Sequence, residues 1–150
     1  LQEDAEKFRC RLESMVEMTG NLYYLPPVFS YPDMEEIDEK TWQAFLRKII
    51  RETDYEVIIL DLTEQVRGLF SLLELCDEIY SCIPKDGLAM AKMEQYKKLL
   101  SHIKKEDLLS KTKECKIPVF KEFSYQAALY THTELADYVQ KLMEKEEEDE

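Results

Sequence analysis

The chain has 150 residues, 45% of them hydrophobic and 11% aromatic, with 20 Lys and Arg against 32 Asp and Glu for a formal net charge of −12. That length and apolar content suffice for one folded domain with a real core and exclude an intrinsically disordered chain, and no apolar run reaches the roughly 18–20 residues of a membrane span. An acid excess of this size argues against non-specific binding to nucleic acid or to anionic lipid, both of which rest on clustered Lys and Arg.

Ala5, Phe8, Leu12, Met15 and Val16 recur at spacings of three and four, which predicts an amphipathic helix over 4–18 stopped by Gly20. Leu22-Tyr23-Tyr24-Leu25 reads as a short strand closed by Pro26 and Pro27, and 28–38 as a loop. Trp42, Phe45, Leu46, Ile49 and Ile50 fall at i, i+3, i+4, i+7 and i+8, a second helix with Asp38 as its N-cap. Val57-Ile58-Ile59-Leu60 is the strongest strand signal in the chain and ends at Asp61. Its hydrophobicity is continuous rather than alternating, as in a parallel strand buried on both faces.

Leu69, Phe70, Leu72, Leu73 and Leu75 suggest a short buried helix, and Glu78 to Ile83 a strand stopped by Pro84 at a Pro-Lys-Asp-Gly turn. A long helix over 88–109 follows, with a Lys-rich solvated face, then a short strand at Cys115 to Phe120 interrupted by Pro118, and a C-terminal helix marked by Leu135, Tyr138, Val139, Leu142 and Met143. Alternating helix and strand imply crossover connections and an α/β fold, a three-layer sandwich with a mostly parallel sheet. The domain expected is 1–143, with 144–150, six acids and one base, as a solvated acidic tail. In such folds ligands sit beyond the carboxyl ends of the strands, at the loops opening after Leu25, Asp61 and Ile83.

Four apolar residues followed by an acid at a strand end is the pattern of a Walker B segment, whose carboxylate holds Mg²⁺ or its water beside bound phosphates. Asp61 is therefore the first candidate for chemistry. Glu64 and Arg67 follow on the same loop and read as a solvated pair, and Lys85 and Asp86 as turn residues. His102 and His132 stand alone in sequence, and the tyrosines fit strands and apolar helix faces, where they serve packing. Cys10, Cys76, Cys82 and Cys115 lack metal-ligand spacing and are expected as buried reduced thiols. Only three glycines are present, Gly20, Gly68 and Gly87, too few for a glycine-rich phosphate loop.

The stretch Tyr55-Glu56-Val57-Ile58-Ile59-Leu60-Asp61-Leu62, a short apolar helix, Cys76-Asp77-Glu78-Ile79-Tyr80-Ser81-Cys82-Ile83-Pro84 and a long helix resemble, in that order, the second half of the MinD/ParA-type P-loop ATPases, the deviant Walker A family. The likeness is greatest to the branch related to the pilus-assembly ATPase CpaE and to capsule tyrosine-kinase ATPases. Gly20 to Pro27 is similar to the family's strand bearing "L-x-x-L-P", Lys116-Ile117-Pro118-Val119 to its "hIPxD" strand end, and Glu134 to Val139 to its closing "ELGxYV" helix. The likeness covers roughly 18–143.

The resemblance implies a P-loop NTPase-like domain lacking its first strand and phosphate loop, and hence a piece of a longer polypeptide. The missing strand would lie between the Val57–Asp61 and Glu78–Ile83 strands. ATP and Mg²⁺ would be the cofactors once that segment is supplied, and ATPase activity is not expected of these residues alone. Asp61 would act catalytically and hold Mg²⁺ through water, Thr63 and Glu64 would belong to a mobile switch loop at the nucleotide, and Pro118 would flank the base. Thr63 stands where the family commonly has Pro, and its adenine-contacting Asn strand is not found between Lys105 and Lys116.

The function implied is a cytoplasmic, ATP-controlled switch in the assembly or positioning of a cellular structure. A protein partner is expected, with a homodimer through the nucleotide site. Nucleic acid is disfavoured, and the acidic C-terminus carries no basic amphipathic membrane anchor. The alternative is a degenerate, non-catalytic protein-interaction module of the same fold. A receiver-type domain fits less well, because its acidic pair and partner lysine cannot be placed.

Overall fold

A computed structural model describes residues 2–27, 36–84, 86–117 and 133–147. They fall into two compact units, Leu1–Met15 with Pro26–Ile117, and Val16–Leu25 with Pro118–Glu150. The first unit is α/β. It contains helices α1 (Gln2–Met15), α2 (Glu39–Glu52), α3 (Leu69–Leu75), α4 (Gly87–His102) and α5 (Asp107–Ser110), and strands β3 (Ile79–Pro84) and β4 (Thr112–Ile117). The second contains strands β1 (Glu17–Thr19) and β2 (Leu22–Tyr24) and helix α6 (Glu134–Glu147).

The first unit is built outward from α2. The Asp38 carboxylate accepts from the Thr41 N–H at 2.8 Å and so satisfies one of the donors that a helix start leaves free. Side chain and backbone bonds from Thr41 hold the Asp38 carboxyl below the usual carboxylate range. Phe8 of α1 meets Phe45 edge-on, with centroids 6.3 Å apart, and Trp42 meets Phe45 similarly at 6.4 Å. Leu46 continues this face into a core with Val66 and Leu72, joined by Leu60, Leu62 and Leu75. A second core of Leu73, Leu100 and Leu108 lies on the other side of α3, and Leu62 belongs to both.

β3 and β4 pair in parallel, Ile79 opposite Thr112 through Pro84 opposite Ile117. A parallel pair needs a crossover, which α4 and α5 supply. Ser81 donates to the Met93 sulfur at 3.7 Å, and Lys97 of α4 pairs with Glu114 of β4 at 2.7 Å, so one face of the pair is covered by α4. Tyr80 and Lys113 share the other face, with the lysine Nζ 5.5 Å from the ring centroid. The expected long helix over 88–109 ends instead at His102: Lys104 takes a left-handed φ of 56° and the chain restarts as α5.

Three expectations are corrected. Residues 57–61 do not form a strand. They pair with no other segment among the described residues, and Val57 and Ile59 are 76% and 80% exposed. High β-propensity needs a neighbouring ladder to become a strand, and none of the described strands lies beside these residues. The first helix stops at Met15, because 17–24 turns back as an antiparallel hairpin with Gly20 at φ 62° in its turn. This hairpin leaves Tyr23 and Tyr24 exposed. Of the cysteines only Cys115 is buried, whereas Cys10 and Cys82 are exposed. No helix among the described residues is long and apolar enough to cross a membrane.

Candidate functional site

The loop from Leu60 to Gly68 carries the residues singled out for chemistry. Leu60 and Leu62 pack into the core while Asp61 and Thr63 are exposed, so the two polar side chains emerge between two apolar anchors. The Thr63 carbonyl accepts from the Val66 N–H at 3.2 Å, closing a turn that places Glu64 outside and the Val66 side chain inside. Gly68 then opens α3. It lies at φ 75°, and its carbonyl accepts from Ser71 and Leu72 at 3.0 and 3.1 Å.

Asp61, Thr63 and Glu64 are thus brought to one short exposed loop. Their side chains make no hydrogen bond or ion pair with a described residue. Pro118 lies outside the described residues. After the Thr41 bonds and Lys40, the Arg67 charge adds a smaller pull toward the charged form of the Asp38 carboxylate.

The residues present can be weighed against Mg²⁺ and nucleotide phosphate. Among the described residues no three His, Cys, Asp or Glu side chains converge as metal ligands. A lone exposed carboxylate such as Asp61 suits a water-mediated contact to a cation that keeps most of its hydration shell, as Mg²⁺ does. A phosphate cradle is a different matter. Gly68 has the positive φ that such loops use, but a Cβ there would meet Glu39 Cβ and Cγ at 2.7 Å, so the space beside it is already filled by α2. The glycine serves close packing. Phosphate-binding groups would have to come from outside these residues.

β3 and β4 are set by polar ties at their amino ends. Lys111 Nζ donates to the carbonyls of Glu74 and Cys76 at 3.1 and 2.9 Å, satisfying acceptors that the end of α3 leaves unpaired. Lys105 pairs with Glu74, and Lys113 with Glu78 at 3.0 Å. The Tyr80 hydroxyl and then Lys113 hold the Glu78 carboxyl below its usual range. Burial pushes the Cys76 thiol up, which keeps it protonated. These contacts are structural.

Compared with protein-family models, curated proteins and solved structures, the chain matches none of them.

Proposed function

We propose that these residues are the C-terminal part of a MinD/ParA/CpaE-like ATP-binding switch protein acting in the assembly or positioning of a cellular structure. The observation that carries the reading is the segment 57–61. It is anchored in the core through Leu60 and leads by α3 into a parallel strand pair, yet it has no ladder among the described residues and exposes Val57 and Ile59. A strand from upstream of Leu1 would pair between this segment and β3, complete a three-layer P-loop-like sandwich, and bring the phosphate-binding loop that the chain does not contain. Asp61 would then stand at a strand end beside the phosphates and orient Mg²⁺-bound water, with Thr63 and Glu64 on the responsive loop and Pro118 near the base.

The test is made on the longest natural polypeptide containing these residues. It should bind a fluorescent ATP analogue in the presence of Mg²⁺, and Asp61→Ala should lower hydrolysis by ~10–100-fold, the usual effect of losing an outer-shell metal partner. Unchanged turnover removes the role given to Asp61.

A second reading, a non-catalytic interaction module of the same α/β class, draws on the exposure of Asp61, Thr63 and Glu64 without described partners. In that case the full polypeptide binds no nucleotide, and Ile59→Lys still abolishes its association with a protein partner.

A further inference from the structure

β3 and β4 run in parallel with Cys82 directly opposite Cys115. Opposed residues of an in-register parallel pair point to the same face. The rest of the ladder bears this out: Ser81 and Glu114 both meet α4, while Tyr80 and Lys113 meet each other on the opposite face. Counting by alternation, Cys82 and Cys115 share the Tyr80 face. Neighbouring strands lie ~4.8 Å apart, inside the roughly 4.4–6.8 Å that the Cα atoms of a disulfide span. Neither cysteine is in a disulfide; Cys82 is exposed, and Cys115, only 3% exposed, donates its thiol to the Lys113 carbonyl at 3.8 Å.

We propose that Cys82 and Cys115 are a peroxide-responsive pair that closes into a reversible intrachain disulfide across β3 and β4. The exposed Cys82 sulfur attacks a peroxide oxygen; an S–O bond forms, the O–O bond breaks, and the departing hydroxide takes up the Cys82 thiol proton to leave as water. The Cys115 sulfur then attacks the sulfenyl sulfur of Cys82. An S–S bond forms, the S–O bond breaks, and a second water leaves with the Cys115 proton. Two thiols are oxidised by two electrons and one hydrogen peroxide is reduced to two waters. Closure draws the Cβ atoms together by about an ångström from the strand spacing. Cys76, at the end of α3 with its thiol turned to the Leu72 carbonyl, lies off this ladder.

The test treats the full chain with a small excess of hydrogen peroxide, alkylates it after denaturation, and maps non-reduced peptides by mass spectrometry. A linked peptide pair containing Cys82 and Cys115 is expected, at a rate independent of protein concentration and reversed by dithiothreitol. Cys115→Ser should stop at a sulfenic acid on Cys82 that dimedone traps. Recovery of Cys82 as sulfinic or sulfonic acid with Cys115 still alkylatable, or linkage of Cys82 between two chains, overturns the proposal. The wild-type map and its concentration dependence decide the matter even where the serine variant fails to fold.

Discussion

Leu60 packs into the core with Leu46, Val66 and Leu72, while its neighbour Ile59 stands 80% exposed. Two adjacent aliphatic residues of similar size therefore have opposite worth to this fold. Ile59→Lys should change the unfolding free energy of the 150-residue chain by no more than ~0.5 kcal/mol, as surface substitutions do. Leu60→Ala should lower it by at least ~1 kcal/mol, through lost burial and the cavity left behind. Urea denaturation of both variants checks the contrast.

Leu100 has no exposed surface and holds the core between α3, α4 and α5. Leu100→Ala should cost ~2–5 kcal/mol, the range for a buried leucine whose surroundings close only partly over the gap. Such a loss is a large share of a domain's ~5–15 kcal/mol of stability, so the variant should melt well below the parent in a calorimeter.

Gly68 combines a φ of 75° with Glu39 atoms 2.7 Å from where a Cβ would sit. Gly68→Ala should destabilise by more than ~1 kcal/mol, from the left-handed backbone alone, and by more again as Glu39 is displaced. Gly87→Ala meets nothing within 4 Å, and its φ is not positive, so it should be tolerated. Thermal melts of the two variants separate conformational need from mere composition.

Lys97 holds the Glu114 carboxyl below its usual range, and Tyr80 with Lys113 does the same for Glu78. A carboxyl whose folded pKa is depressed contributes stability that is complete above its unfolded pKa and is lost as pH falls through the folded value. Glu114, then Glu94, raises the pKa of Lys97; that contribution is complete below the ordinary lysine value and is lost only as pH rises through the raised one. Melting temperature should therefore fall on acidification below the carboxylate range. The Glu78→Gln, Glu114→Gln double variant should lose less on the same titration, and 1 M salt should narrow the difference, since these groups are solvent-exposed and screened.

Local signals were legible where they needed no distant partner. Asp38 caps α2 and the apolar run at 69–75 is a helix, because capping and short-range periodicity decide them, whereas the strand before Pro84 forms because β4 pairs with it. The segment 57–61 has stronger β-propensity than β3 yet is no strand, because a ladder requires a second chain segment that sequence inspection of one segment cannot supply. β4 begins at Thr112, earlier than apolar content suggests, since Lys113, Glu114 and Lys116 alternate with Cys115 and are paired or solvated. The candidate loop was found through Asp61, but the packing of Gly68 on Glu39 arises only when α2 and α3 come together.

The ties from Lys105, Lys111 and Lys113 back to 74–78 link positions 31–37 residues apart. α3 has only seven residues, too short to persist as an isolated helix, and its terminal carbonyls are completed by a side chain that precedes β4. The helix and the second strand must then gain order in one step, after the intervening chain has closed on itself. That makes 69–117 a cooperative folding unit with a loop-closure cost at its entry. In native-state hydrogen exchange, the amides of α3 and β4 should open together rather than in sequence.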